Sequence, residues 1–85
     1  SEDEKKNITK RLNILEGQIR GVKQMIDEDR YCDDVLTQLS AITKSIESLE
    51  NVILHSHIEN CIAREIKAGN SEIIDELMDL FRRLR

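Results

Sequence analysis

The apolar positions of this chain recur at alternating steps of four and three. Ile8, Leu12, Leu15, Ile19, Val22 and Ile26 form one series; Val35, Leu39, Ile42, Ile46, Leu49 and Ile53 form a second. This spacing keeps apolar side chains on one face of an α-helix and marks helices that pack side by side. It predicts a first helix from about Glu4 to Asp27 and a turn at "DEDRYCDD". A second helix starts near Cys32 to Asp34, with Cys32 or Asp33 as its cap and aspartates favouring its N-terminus. The second series steps on to His57 and is followed by Cys61, Ile62 and Ile66, so this helix is expected to run unbroken to about Ala68. Gly69-Asn70 reads as a stop. Ser71 reads as the cap of a third helix from Glu72 to about Leu84, carrying Ile73, Leu77, Leu80, Phe81 and Leu84. The expected class is all-α: a long helix hairpin plus a short C-terminal helix, in one domain over residues 1–85. Gly17 and Gly21 fall inside the first helix, where each costs about 1 kcal/mol relative to alanine. Their spacing points to close approach by another backbone or by a partner.

Composition bears on whether such a fold stands alone. The 85 residues are 39% hydrophobic, with no proline or tryptophan, one tyrosine and one phenylalanine. A chain this short buries little core by itself, and domains of this size gain stability by oligomerising. A homo-oligomer is therefore expected. No apolar run approaches the ~18 residues of a membrane span. The opening "SEDEKKN" is polar and lacks a signal-peptide pattern. Both features point to a cytoplasmic protein without a membrane partner, where two cysteines read as reactive or ligating rather than as a structural disulfide.

Net charge is −4, yet its distribution is uneven. Between residues 5 and 23, Lys5, Lys6, Lys10, Arg11, Arg20 and Lys23 stand against Glu16 alone, a local charge of +5, and the chain ends "RRLR". A basic face on an acidic protein is compatible with phosphate binding, and equally with an ordinary solvated helix face.

The stretch "HSHIENC", residues 55–61, carries the candidate chemistry. On an α-helix His57 and Cys61 are four apart on one face. The other cysteine, Cys32, is 25 residues before His57, or roughly 37 Å along a continuous helix, whereas metal–ligand bonds are only ~2.0–2.3 Å. Cys32 can join His57 and Cys61 only if a second copy lies antiparallel alongside, which makes two sites per dimer. Two thiolates and one imidazole are a soft, low-coordinate set that favours Cu(I), with Zn(II) as the competitor. Taken singly, a His on an apolar stripe is ordinarily an interface residue, and a Cys there a small buried hydrophobe. His55 lies off the stripe, and Met25 and Met78 read as core fillers. No activated nucleophile, acid–base pair or phosphate loop is visible, so no enzyme is expected.

"RLNILEGQIRGVKQMIDEDRYCDDVLTQLSAI", followed by "HIENC", resembles the copper-sensing repressor family (CsoR-like transcriptional regulators). The combination R-L-x-x-x-E-G-Q-x-x-G, Y-C, Q-x-S-A and H-x-x-x-C carries the resemblance, from Arg11 to about Cys61 and on into the third helix. It implies an antiparallel dimer forming a four-helix bundle, paired into a dimer of dimers. It also implies binding of double-stranded operator DNA without a helix-turn-helix, and release when the effector binds. Cys32, His57 and Cys61 match the Cu(I) type; nickel/cobalt members resemble a Cys, His, His pattern, and formaldehyde sensors lack the second cysteine. Persulfide sensors keep both cysteines but usually lack the histidine. By resemblance, Tyr31 and Glu76 link the site to the C-terminal helix. For DNA, the resemblance points to Arg11 and neighbouring basic residues of the first helix, with help from Gln18. One departure is "SIESLEN", where copper sensors often carry an arginine and this chain has Glu47, Ser48 and Glu50. Two other readings remain: a thiol-redox repressor of the same family that answers persulfides, and a helical oligomerisation module whose cysteines are incidental.

Overall fold

The computed structural model describes residues 2–84; Ser1 and Arg85, the last basic residue of "RRLR", lie outside the described residues. All regular structure among the described residues is helical: α1 Glu2–Asp27, α2 Cys32–Ser56, a π-helical segment His57–Ile62, α3 Ala63–Lys67 and α4 Glu72–Arg83. The chain divides into two compact units, Ser1–Ile53 and Leu54–Arg85, with the boundary inside α2.

In the first unit α1 and α2 pack as an antiparallel hairpin. The apolar series splits in two. Leu15, Ile42 and Leu49 form the buried cluster, with Ile8 and Val22 packed against it, and Val35 is buried as well. These residues are seven apart along each helix, so one heptad seam closes the hairpin. Their companions Leu12, Ile19 and Ile26 on α1, and Leu39, Ile46 and Ile53 on α2, remain 40–60% exposed. Ile19, Val22, Ile26, Leu39 and Ile42 wall an apolar groove of about 370 Å³. The single stripe read from the sequence is therefore two seams, one filled by the chain itself and one left open. Gly17 and Gly21 are not sites of close approach within the chain: a Cβ at Gly21 would meet nothing within 4 Å, and one at Gly17 only the Arg20 side chain at 3.8 Å.

Both connections use the same cap. At the end of α1 the Asp29 N–H bonds the Ile26 carbonyl (3.1 Å) and the Arg30 N–H bonds the Met25 carbonyl (2.9 Å), with Asp29 left-handed at φ 54°. At the end of α3 the Gly69 N–H bonds the Ile66 carbonyl (3.0 Å) and the Asn70 N–H bonds the Glu65 carbonyl (2.9 Å), with Gly69 at φ 87°. These are two Schellman closures, one on the expected glycine and one on an aspartate. The cap of α2 is neither Cys32 nor Asp33. The Tyr31 carbonyl accepts from the Asp34 and Val35 N–H groups at 3.0 and 3.2 Å, so Cys32 is the first helical residue. Ser71 does precede α4, but its side chain makes no capping bond.

The backbone of the second unit departs from expectation at one place. The helical path does continue to Lys67, but His57–Ile62 is wound as π-helix, and the Ala63 N–H reaches back five residues to the Ile58 carbonyl. Ile62 is buried here and meets Ile73, Leu77 and Leu80 of α4 around a cavity. Met78 is half exposed rather than a core filler, and Ile74 and Phe81 share its exposure.

Candidate metal centre and nucleic-acid interface

His57 is the first residue of the π segment and Cys61 the fifth. A π turn closes five residues back instead of four. The two side chains are thus just short of a full turn apart, where an α-helix would carry them just past one. Both are half-buried. The outer face of the segment is tied by side chains. Asn60 Nδ2 donates to the Ser56 carbonyl at 3.0 Å and lies 3.2 Å from Ser56 Oγ. His55 Nε2 stands 3.0 Å from Glu59 Oε1. π segments inside α-helices are frequent at functional sites.

His57 also borders a cavity of about 230 Å³ whose polar rim is completed by Glu76 and Arg83, over a wall of Ile62, Ile73, Leu77 and Leu80. Glu76, singled out from the sequence, thus shares a cavity with His57. Arg83 was not singled out. It lies seven residues beyond Glu76 and so on the same helical face, a relation readable only once that face is known to turn toward His57.

Cys32 is exposed and opens α2; Tyr31 beside it is 68% exposed. Both cysteines are free thiols. Among the described residues, no group of three or more His, Cys, Asp or Glu side chains stands together in a way that could hold a metal ion. Thiols and an imidazole, the side chain types of Cys32, Cys61 and His57, are soft donors of the kind that suits Cu(I).

Of the basic residues on α1, Lys5, Lys6, Lys10, Arg20 and Lys23 are exposed. Lys5, Lys6 and Lys10 line a surface groove with Thr9 and Asn13. Arg20 lies 3.9 Å from Glu16, and Lys5 lies 4.0 Å from Glu2. Exposed pairs of this kind are worth 0–1 kcal/mol and give way readily to a phosphate. Arg11 differs in being half-buried, with Nη1 donating to Ser48 Oγ of α2 at 3.4 Å. Gln18 is half-buried too, and its Oε1 is enclosed without a hydrogen-bond partner, so that oxygen faces the protein and not solvent.

Residues 4–83 match the family model described as metal-sensitive transcriptional repressor. The chain belongs to that family. It is 42% identical over 84 residues to the copper-sensing transcriptional repressor CsoR of Bacillus subtilis (strain 168), covering 98% of this chain and 83% of that protein. It is 46% identical over 66 residues to the copper-sensing transcriptional repressor RicR of Mycobacterium tuberculosis, covering 78% and 69%. Its structure superposes with a TM-score of 0.93, at 39% identity, on the crystal structure of the copper-sensing repressor CsoR with Cu(I) from Geobacillus thermodenitrificans NG80-2, covering 99% of this chain and 88% of that one. Members of the family are repressors and not enzymes. No helix among the described residues is long and apolar enough to cross a membrane.

Proposed function

We propose that this chain is a cytoplasmic Cu(I)-responsive repressor that binds operator DNA in its metal-free form and leaves it when Cu(I) is bound. The observation that carries the reading is the placement of His57 and Cys61 within one π turn, in a chain similar over most of its length to copper-sensing repressors. Two thiolates and an imidazole would hold Cu(I), which supplies soft bonds strong enough to tie two subunits together.

Cys32 begins α2 and His57 follows its end, and that helix is about 37 Å long at 1.5 Å per residue. Cys32 of one protomer therefore joins His57 and Cys61 of its partner. The open seam Leu12, Ile19, Ile26, Leu39, Ile46 and Ile53 supports this pairing: two hairpins joined along it form an antiparallel four-helix bundle. Covering what remains exposed of each side chain contributes about 1 kcal/mol. Two such dimers pair into a tetramer that presents the α1 basic faces, Lys5, Lys6, Lys10, Arg11, Arg20 and Lys23 with Gln18, to the duplex.

In this reading His57 and Cys61 pull the π segment toward the neighbouring Cys32. Glu76, on the cavity beside His57, and Tyr31, next to Cys32, carry that change to α4. An effector shifts an equilibrium only by its differential affinity for the two states, and an allosteric coupling of 1–3 kcal/mol corresponds to ~5–150-fold weaker DNA binding. The test is fluorescence anisotropy on a G/C-rich operator duplex with reduced protein under anaerobic conditions, adding Cu(I), Zn(II) and a persulfide donor in separate titrations. Release by stoichiometric Cu(I) is expected. Release by the persulfide donor alone would assign the protein to sulfur sensing, and absence of DNA binding would leave either the wrong operator or a helical oligomerisation module.

A further inference from the structure

Among the α1 cations, Arg11 is the one whose position the fold constrains. Its side chain lines a cleft of about 190 Å³ between α1 and α2, together with Ile14, Leu15 and the serines Ser45 and Ser48 of α2. Ser48 Oγ accepts one of the five guanidinium N–H donors. The remaining donors stay available. The other basic residues of α1 are exposed, and the pairs of Lys5 with Glu2 and of Arg20 with Glu16 stay within α1, so none of these pairs ties a cation to α2.

We infer that Ser48 is a positioning residue: its hydroxyl holds the Arg11 guanidinium in the orientation that meets a backbone phosphate of duplex DNA. This rests on the repressor reading above, because it assumes that the α1 face meets DNA. The physical argument is pre-organisation. A guanidinium binds phosphate best as a planar fork with two parallel N–H donors, so its orientation matters as well as its charge. The bond to Ser48, long at 3.4 Å, biases the guanidinium toward the α2 side of the cleft and leaves its other donors unused by Ser48. Ser48 itself need not touch the phosphate. Its small side chain also leaves the cleft open on the α2 side, which a longer residue at this position would fill.

The experiment is a double-mutant cycle on the full chain. Metal-free wild type, Ser48→Ala, Ser48→Thr, Arg11→Ala and the Ser48→Ala/Arg11→Ala double variant are titrated onto a fluorescein-labelled G/C-rich operator duplex at several salt concentrations. Arg11→Ala is expected to weaken binding about tenfold or more and to flatten the salt dependence by roughly 0.9 log unit per lost phosphate contact. Ser48→Ala is expected to weaken it by roughly two- to tenfold, the range of one ordinary intramolecular hydrogen bond. Ser48→Thr keeps the hydroxyl and restores wild-type affinity. In the Arg11→Ala background, Ser48→Ala changes nothing further. A purely structural role for Ser48 would act equally in both backgrounds and lower the melting temperature alongside. The inference is overturned by equal effects in the two backgrounds, or by a Ser48→Ala protein that binds like wild type while Arg11→Ala is weakened. If wild type itself fails to bind any duplex, the repressor reading falls and takes this inference with it.

Discussion

His57 and Cys61 are four residues apart inside a π turn that closes on five, and this turn interrupts a helical path running from Cys32 to Lys67. Their relation is therefore a property of the interruption and not of a regular α-helix. The residue pair that supplies two of the three proposed ligands lies on this π-wound segment. That location suits a site expected to transmit a change in shape, since interconversion between α and π winding rotates whatever follows.

Replacing His57 by alanine separates binding from response. The two thiolates are expected to retain Cu(I), but the connection to Glu76 across the shared cavity is lost. The ~5–150-fold release expected of wild type should shrink to about twofold or less. Copper stoichiometry and operator affinity, measured on the same sample, check this. A variant that still leaves DNA as wild type does would remove His57 from the coupling.

Subunit mixing tests where the third ligand comes from. Neither Cys32→Ser nor Cys61→Ser homodimers should form the three-ligand site. A co-refolded heterodimer of the two regains one site of the two, because an intact Cys32 then faces an intact His57 and Cys61. Anaerobic Cu(I) titration against a competing chelator reads the stoichiometry. A heterodimer with no recovered site would place all ligands within one chain.

The open seam gives a prediction about assembly. Ile46 is 40% exposed in the single chain and lies centrally between Leu39 and Ile53. Ile46→Glu places a charge in the middle of the proposed bundle, where an unpaired buried carboxylate costs several kcal/mol. Sedimentation velocity should show a smaller species, with copper and operator binding lost together. A variant of unchanged mass would mean that this seam is not the interface.

Asp29 is out of place by local chemistry. It holds the left-handed position of a Schellman closure that Gly69 fills in the other turn, and it follows Asp27 and Glu28 at the negative end of α1, which carries no basic residue in its last turn. Asn tolerates that conformation and removes the unfavourable charge. Asp29→Asn is expected to stabilise the fold by about 0.5–1 kcal/mol, seen as a higher urea midpoint with unchanged slope. A lower midpoint would show that the Asp29 carboxylate makes a contribution that this backbone geometry does not explain.

The sequence by itself determined the three helical paths, their approximate ends and the all-α class, because periodic burial and glycine stops are local properties of a helical chain. It also set Cys32 apart from His57 and Cys61, since helix length alone separates the first from the other two. Tertiary structure decided what local rules leave degenerate. The apolar stripe could not reveal which half closes the hairpin, because Leu12 and Leu15 are equivalent until α2 selects one face. The caps moved because Tyr31 offers its carbonyl and Asp29 accepts a left-handed backbone, both settled by where the next helix must go. The π winding of His57–Ile62 was invisible to a pattern that assumes a constant turn. Arg11 separated from the other cations only when α2 brought Ser48 within reach of its guanidinium, a contact between residues 37 positions apart that no local spacing encodes.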